Sequence, residues 1–299
     1  MDILLTGSSG FLGKSIAREL NQKFNIFKLS RTVGEFQFFL EKEIPDLKQN
    51  FDLVIHAAGK AHSIPRTEEE KKEFTNVNVT GTLNLLQGLE NAGAPKQFVF
   101  ISSVSVYGRE SGSTIDEESS LNANDPYGLS KITAEAIITE WCQNNNVICT
   151  ILRLPLLVGE NPPGNLGAMV KAIEKGYYFN IDGGKAKKSM VLADDVAKLI
   201  PKVATIGGIY NLTDGVHPNF SELSIAISKQ KKKKSPMNLP LFIAKFMGYV
   251  GDVLGEKSPI NSSKIKKITS DLTFNDSKAR ELVGWNPCSV LEYLKNNSL

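Results

Sequence analysis

The sequence predicts an α/β fold in which helices cover a doubly wound parallel sheet and a smaller C-terminal α/β lobe follows. Short apolar runs alternate with helical patterns through the first half of the 299-residue chain, which is typical of parallel sheets. A glycine-rich turn directly follows the first of these runs and opens a helix. Past Pro155 the alternation loosens, so the second lobe is expected there.

The elements of the large domain follow from apolar spacing. Short β-rich runs predict strands at residues 3–5, 26–29, 53–56, 98–101 and 147–152. Helical spacing predicts helices at 11–20 and 77–89, the second from Val79, Leu83, Leu86 and Leu89. A further helix is expected to open at Pro126, because proline suits a first helical turn.

The remainder of the chain is expected to divide between the two lobes. Residues 1–160 are predicted to form the large domain, and 191–211 return to it through a helix that begins near Asp194. A loop at 162–165 and turns at 183–184 and 214–215 leave residues 161–190 and 212–299 for the smaller lobe. Because ligands bind at the carboxyl ends of strands in such sheets, this lobe is expected to close over that edge and contact substrate.

Composition excludes several classes of function. A net charge of +3 is too small to imply nucleic acid, and the lysine run at 231–234 is interpreted as a solvated loop, with a polyanion site as the alternative. Cys142, Cys149 and Cys288 have no metal-ligand spacing, so we expect free thiols, no metal site and a reducing cytoplasm. Since the first strand begins at Asp2, no targeting segment is expected.

The most apolar late segment runs from Leu239 to Leu254 and is interrupted by Lys245 and Asp252. It is too short to span a bilayer, so we expect no membrane insertion. Apolar helix faces usually pack against their own protein. We therefore expect a core or surface helix here, with a membrane-surface role as the alternative.

The glycine turn predicts a dinucleotide site on a Rossmann-type sheet. Gly7, Gly10 and Gly13 are three apart between a strand and a helix. The first permits a tight turn, the second lets the backbone approach a pyrophosphate, and the third allows close helix–strand packing. The helix N-terminus then offers amides and a positive dipole end to the phosphates.

The end of the second strand indicates which nicotinamide cofactor binds. An acid there accepts a hydrogen bond from the 2′-hydroxyl of NAD, whereas an arginine accommodates the 2′-phosphate of NADP. This strand ends in Leu29-Ser30-Arg31, with no acid before Glu35. NADP(H) is therefore favoured and NAD(H) is possible, unless Arg31 is a solvated surface residue.

A tyrosine and a lysine one helical turn apart predict proton transfer. Tyr127 and Lys131 stand at i and i+4 and so share a helix face. A free phenol has a pKa of about 10, but a neighbouring ammonium and a positive nicotinamide ring stabilise the phenolate. Tyr127 is predicted to be the general acid/base, tuned by Lys131.

Together these motifs resemble the extended short-chain dehydrogenase/reductase family of nucleotide-sugar epimerases and reductases. The resemblance rests on Thr6-Gly-x-x-Gly-x-x-Gly13, His56-Ala-Ala-Gly59, Ser102-Ser-Val-Ser-Val-Tyr-Gly108, Tyr127-x-x-x-Lys131 and the ending 274–287. Residues 56–62 and 78–84 look most like reductases that make UDP-N-acetylquinovosamine for surface polysaccharides. The resemblance implies a cytoplasmic enzyme that forms a homodimer. Two helices are implied to form the interface, one carrying Thr82 and Leu89 and the other carrying Tyr127 and Lys131.

The resemblance also assigns contacts to residues. Ser103 is implied to orient the reacting sugar oxygen and stabilise developing negative charge, the alternative being a serine that caps the strand end. Implied cofactor contacts are Gly7, Ser9, Gly10, Phe11, Leu12, Gly13, Ser30, Arg31, His56, Ala57, Ala58, Gly59, Tyr127, Lys131 and Pro155. Implied substrate contacts are Ser103, Asn165, Leu166 and Lys188, with Lys60 and His62 as further candidates or as solvated loop residues.

Three functions remain open from the sequence. The first is an NADPH-dependent 4-ketoreductase of a UDP-4-keto-6-deoxy sugar, favoured by the absence of an acid after strand two. The second is a UDP-hexose 4-epimerase with tightly bound NAD, and the third is a non-catalytic NADP sensor. Related dehydratases carry Thr-Asp-Glu where this chain has Ser103-Val104-Ser105, so dehydration is not expected.

Overall fold

The structure is a computed structural model that describes residues 1–61, 65–254, 261–297 and 299. His62, a predicted substrate contact, lies outside the described residues. The strands are β1 Asp2–Thr6, β2 Asn25–Ser30, β3 Phe36–Gln37, β4 Leu53–His56, β5 Gln97–Ser103, β6 Gly112–Ile115, β7 Ile148–Leu154, β8 Leu156–Val158, β9 Phe179–Ile181, β10 Met190–Leu192, β11 Gly208–Asn211, β12 Met237–Leu239 and β13 Leu272–Phe274.

Helices connect these strands. They are α1 Phe11–Leu20, α2 Glu68–Thr75, α3 Gly81–Ala92, α4 Pro126–Asn144, α5 Gly164–Glu174, α6 Ala193–Val203, α7 Phe220–Gln230, α8 Leu241–Leu254, α9 Ser262–Thr269, α10 Ser277–Val283 and α11 Val290–Asn296. A π-helical turn at Asn76–Thr80 joins α2 to α3, so the helix predicted at 77–89 is the second half of a longer one.

The described residues build a seven-stranded sheet in the order β11-β7-β5-β4-β1-β2-β3, and every neighbouring pair is parallel. The predicted doubly wound parallel sheet is confirmed. From β1, the strands β2 and β3 extend the sheet to one side, whereas the later strands β4, β5, β7 and β11 extend it to the other side. The carboxyl ends of β1 and β4 therefore form the switch point at which such sheets bind ligands.

Both faces of the sheet are covered. On one face, α1 and α6 pack through side chains such as Leu12, Ile16, Val196 and Ile200. On the other face, α3 and α4 bury Leu85, Leu89, Ile138 and Trp141 against strands β4 and β5. Fully buried strands explain the continuous apolar runs in the sequence, because neither face of the sheet meets water.

The C-terminal part has its own core and small sheets. Residues of β8, α5, β10, α7 and α11 form a separate apolar cluster, and the pairs β8/β10, β9/β12 and β6/β13 are parallel. The helix α5 begins at Gly164, inside the segment predicted to be a loop. We propose the predicted division into lobes on these contacts, with exceptions. Strand β6 pairs with β13 of the smaller lobe, and Val158 of β8 packs in the smaller lobe's core. Ala279, Val283 and Trp285, which were predicted to belong to the smaller lobe, pack in the core of the large domain.

A buried ion pair joins the catalytic helix to the sheet. The Arg153 guanidinium donates to both carboxylate oxygens of Glu135 on α4, at 2.7 Å from Nη2 and 3.2 Å from Nε, and both side chains are at least 95% buried. Arg153 also donates to the Tyr107 hydroxyl at 3.1 Å, which in turn donates to Asn211 at 2.8 Å. This network connects α4 to β7 and β11.

Replacing one partner of this pair should destabilise the fold. Glu135→Gln leaves the buried guanidinium without a counter-charge, which typically costs about 3–5 kcal/mol. The unfolding midpoint in urea should therefore fall substantially. Glu140→Gln, at an exposed position of the same helix, should change the free energy of unfolding by less than about 0.5 kcal/mol. Equal midpoints for the two variants would show that the pair is dispensable.

Candidate active site

The glycine turn closes the switch point. Gly7 has φ +72°, and a Cβ there would lie 2.6 Å from the backbone of Ala57, which follows β4. A Cβ on Gly13 would lie 2.0 Å from the Gly7 carbonyl oxygen, so α1 packs directly on the turn. The Gly10 amide donates to the Gly7 carbonyl at 3.0 Å. The carboxyl ends of β1 and β4 meet there because these positions lack side chains.

A cavity of about 390 Å³ runs along this edge of the sheet. Its lining includes the predicted residues Gly7, Ser9, Gly10, Ser30, Arg31, Ala57, Ala58, Gly59 and Lys60. Helix α1 begins beside it with Gly10 at its N-cap and no side-chain cap, which leaves a helix N-terminus for phosphate. The residues present therefore fit a dinucleotide.

Two predicted contacts next to this turn have buried or packed side chains. Leu12 lies in the core with 6% of its surface exposed, so only its backbone amide can meet a phosphate. The Phe11 ring faces Gly159, where a Cβ would lie 3.1 Å from Cζ. Phe11 and Leu12 thus fix the start of α1.

An acid to which the sequence assigned no role lies in the cavity next to Ser30 and Arg31. Glu41 lines it together with Ser30 and Arg31, and its carboxylate is 4.0 Å from the Arg31 guanidinium. Glu35, the acid nearest strand β2, instead accepts a hydrogen bond from the Lys28 amide at 2.7 Å. The Ser30 hydroxyl donates to the Val33 carbonyl at 2.5 Å. No spacing rule marks Glu41, because it enters the cavity from beyond the short strand β3.

His56 lies behind the cavity and acts through hydrogen bonds. Its Nδ1 is 2.7 Å from the Thr6 hydroxyl, and its Nε2 is 3.0 Å from the Thr82 hydroxyl. Thr82 donates its own proton to the Asn78 carbonyl at 2.7 Å, so Nε2 carries the imidazole proton. Burial lowers the pKa of His56 to about 3. The ring is therefore neutral and holds the turn rather than reaching a ligand.

Asn78 organises the loop after β4 and is a second residue without a predicted role. Its Oδ1 accepts from the Lys60 amide at 2.7 Å, and its Nδ2 donates to the Lys60 carbonyl at 3.1 Å and to the Ser130 hydroxyl at 2.8 Å. It stands in the π-helical turn, a feature common at functional sites. The sequence contains Asn78 within a family motif, yet only the structure shows which groups it joins.

Ser103 and Tyr127 meet because α4 begins close to the end of β5. Asp125 caps α4 by accepting from the Tyr127 and Gly128 amides at 3.1 and 3.0 Å. A Cβ on Gly128 would lie 2.9 Å from the Ser105 carbonyl oxygen, so glycine permits this approach. The Ser103 hydroxyl accepts from the Ser105 amide at 3.1 Å, which is the strand-end interaction considered as its alternative role.

The Tyr127 phenol is protonated in the protein alone. Burial raises its pKa, while the neighbouring Ser103 hydroxyl acts in the opposite direction. Lys131 does not produce the expected lowering of this pKa in the protein by itself. Its ammonium donates to the Ile101 carbonyl at 2.8 Å and lies 4.4 Å from the centre of the Phe100 ring.

Lys131 is buried at the centre of this site. Burial lowers its pKa to about 8, and a Cβ on Gly59 would lie 3.5 Å from Nζ. The lysine therefore reaches the cavity edge beside Gly59. Ser103 pairs in register with Leu154 on β7, which places the neighbouring Pro155 at the same edge of the sheet.

Lys60 lines the cavity next to Gly59. Its ammonium forms an ion pair with Glu73 and lies 5.5 Å from the centre of the Phe74 ring. The Phe74 ring in turn contacts Tyr127, with centroids 6.1 Å apart. The predicted substrate contact of Lys60 stays a prediction, and its partner in this structure is the Glu73 carboxylate.

The three lobe residues predicted to bind substrate lie in different environments. Asn165 is exposed at the start of α5. Leu166 is 1% exposed and belongs to the lobe core, so its side chain supports α5. The Lys188 ammonium donates to the Lys267 carbonyl at 2.9 Å, and burial lowers its pKa. The structure therefore gives Lys188 a role in connecting β10 to α9.

Comparisons with known proteins identify the family of this chain. Residues 3–212 match the model of the NAD dependent epimerase/dehydratase family. The chain is 29% identical over 294 residues to the N-acetyl-alpha-D-glucosaminyl-diphospho-ditrans,octacis-undecaprenol 4-epimerase of Escherichia coli O157:H7, covering 93% of this chain and 88% of that one. It is 27% identical to the UDP-glucose 4-epimerase of Vibrio cholerae, covering 97% and 92%.

Solved structures share the fold. The UDP-glucose 4-epimerase of Thermotoga maritima, solved with UDP-glucose, superposes with a TM-score of 0.76 at 20% identity, covering 99% of this chain and 96% of that one. The family match spans the dinucleotide turn, Ser103, Tyr127 and Lys131. This chain is an enzyme of the NAD dependent epimerase/dehydratase family.

Proposed function

We propose that this enzyme is a 4-epimerase of a hexose held through a 1-diphosphate, working with a retained nicotinamide dinucleotide. The observation that carries the proposal is the convergence of Ser103, Tyr127 and Lys131 beside the dinucleotide cavity. Two relatives matched over nearly their whole length are named as 4-epimerases. Their substrates, one on UDP and one on a polyprenyl carrier, share a sugar 1-diphosphate.

The chemistry at C4 divides between the cofactor and the protein. Epimerisation removes the hydroxyl proton and the C4 hydrogen with its electron pair, then restores the hydrogen from the other face. A bound nicotinamide dinucleotide would accept and return the hydrogen with its electron pair. The protein must hold the proton and stabilise the oxygen throughout.

Tyr127 and Ser103 are proposed to serve that oxygen. As the phenol, Tyr127 donates its proton to a 4-keto oxygen, and as the phenolate it takes the proton from the 4-hydroxyl. The Ser103 hydroxyl donates a hydrogen bond to the same oxygen when negative charge develops there. Lys131, whose ammonium is held near Gly59, supplies positive charge and would bind the nicotinamide ribose.

Glu41 bears on the choice of function. A carboxylate beside the adenosine ribose favours NAD, and a cofactor that is regenerated in each cycle suits an epimerase. Glu41 lies in the cavity within 4.0 Å of Arg31 and offsets its charge. The second candidate is the 4-ketoreductase with NADPH, favoured by Ser30 and Arg31 after β2.

We also propose the homodimer predicted through α3 and α4. Leu83 on α3 and Leu129 on α4 are 47% and 48% exposed, and both helices cover the same face of the sheet. Apolar side chains at these positions suit an isologous helix interface. The resemblance noted from the sequence implies the same surface.

Removing the Tyr127 hydroxyl should abolish most turnover. Tyr127→Phe should lower kcat by about 10²–10⁴-fold, the usual contribution of general acid/base catalysis, while the unfolding midpoint in urea stays near that of the wild type. Tyr177→Phe, at an exposed position of the lobe, is the matched control and should keep full activity. Turnover by Tyr127→Phe within two-fold of wild type would remove this residue from the mechanism.

Cofactor choice should depend on Glu41 and Arg31. A hydrogen bond to a charged group contributes roughly 1.5–3 kcal/mol, which corresponds to about 10- to 150-fold in affinity. Glu41→Gln should weaken NADH binding by that range, and Arg31→Ala should weaken NADPH binding, both measured by fluorescence titration. An equal loss of both cofactors in either variant would indicate a structural role for that residue.

The reaction itself separates the two candidates. An epimerase should interconvert UDP-glucose and UDP-galactose, or their N-acetyl forms, without added cofactor and without net change in absorbance at the NADH band. It should also release NAD on denaturation. Stoichiometric consumption of NADPH with a UDP-4-keto sugar, together with no interconversion, would establish the ketoreductase instead.

A further inference from the structure

Helix α8 presents its largest apolar side chains to solvent. Phe242, Phe246, Tyr249 and Val253 are 73%, 69%, 67% and 75% exposed. Their spacing of four, three and four residues places them on one face of the helix. The expectation that this apolar segment packs against its own protein is therefore wrong for its bulky residues.

Small residues fix this orientation. Ala244, Gly248 and Gly251 are the buried positions of α8, and they lie opposite the exposed stripe. A Cβ on Gly248 would lie 2.5 Å from Ile265 Cδ1 of α9. The Asp252 carboxylate accepts from the Ser262 amide at 3.1 Å. Because the face of α8 that carries small residues packs on α9, the opposite face, which carries the bulky apolar side chains, points to solvent.

The stretch of sequence that contains this apolar stripe is rich in lysine. The sequence from Lys229 to Lys267 carries the lysines Lys229, Lys231, Lys232, Lys233, Lys234, Lys245, Lys257, Lys264, Lys266 and Lys267, against the acids Asp252 and Glu256. This excess is larger than the +3 net charge of the whole chain. The side chains of Lys232, Lys233, Lys234, Lys245 and Lys266 are exposed. Basic charge is thus concentrated in the stretch of sequence that contains the exposed apolar face of α8.

A second copy of this chain fits the surface poorly. A two-fold interface would bring the same basic segment of both copies together, and like charges there would repel. A bilayer with anionic headgroups complements both properties, because the apolar stripe can enter the acyl boundary while the lysines meet phosphates. None of the helices that the structure describes has the length and apolarity needed to cross a membrane.

We propose that α8 is a docking helix that lies flat in the interface of an anionic phospholipid bilayer, with Phe242, Phe246 and Tyr249 inserted. Docking would hold the active site at the surface where a sugar diphosphate on a lipid carrier is presented, a consequence that rests on the proposed function. The docking itself needs only the geometry and charge of α8.

Vesicle co-sedimentation of the full-length enzyme tests the proposal. The wild type should sediment with vesicles of phosphatidylcholine and phosphatidylglycerol, less with phosphatidylcholine alone, and less in high salt. The double variant Phe242→Gln, Phe246→Gln should lose binding by about ten-fold or more, because two large apolar side chains no longer leave water. The triple variant Lys232→Ala, Lys233→Ala, Lys234→Ala should lose the preference for anionic lipid.

Controls separate docking from folding and from self-association. Ile206→Gln with Val216→Gln replaces exposed apolar residues outside α8 and should leave vesicle binding unchanged. All variants should keep the wild-type unfolding midpoint and turnover of a UDP-sugar. Because vesicle binding is measured without turnover, failure of docking is distinguishable from failure of the proposed function.

Two results would overturn the docking proposal. The first is a wild type that stays in the supernatant with anionic vesicles. The second is a change from dimer to monomer on Phe242→Gln, Phe246→Gln, measured by light scattering, which would assign the α8 face to a second copy of the chain.

Discussion

The site depends on a buried hydrogen-bond relay centred on a neutral His56. Thr6 accepts from the Ala58 amide and donates to His56, whose Nε2 donates to Thr82, and Thr82 donates to the Asn78 carbonyl. Each donor in this relay has one proton and donates it to one acceptor, so the direction of every hydrogen bond in the relay is fixed. A charged imidazole would break the pattern, and burial prevents that charge by lowering the pKa of His56 to about 3. The relay locks β1, β4 and the π-helical turn together before any ligand binds.

The π-helical turn connects the sheet to α4, the helix that contains Tyr127 and Lys131. A regular helix through residues 76–80 would place Asn78 on a different face, since side chains advance by a fixed angle per residue. In its observed place, Asn78 joins the loop at Lys60 to Ser130, the residue before Lys131. Behind that helix, the Glu135–Arg153 pair ties α4 to β7. The proton-transfer groups are therefore supported from two sides, and neither support is itself expected to touch substrate.

The two ends of the molecule follow different physical rules. Around the sheet, apolar residues are buried on both faces, and the functional groups appear where strands end. In α8 the pattern is inverted, because glycine and alanine face the protein while phenylalanine and tyrosine face outward. Placing these apolar side chains outward costs little free energy if another apolar phase covers this face of the helix. It would be unfavourable for a face that stays in water.

The sequence by itself determined the sheet, the glycine turn after β1 and the placement of Tyr127 and Lys131 one turn apart on α4, because each depends on local spacing. It also predicted that Ser103 lies at the strand end beside Tyr127. Only the tertiary structure decided the placement of Glu41, which enters the cavity from a loop with no marked pattern, and the roles of Asn78, Leu166 and Lys188. The orientation of α8 was likewise undetermined, because hydrophobic periodicity shows that a helix has two faces without showing which one the protein covers.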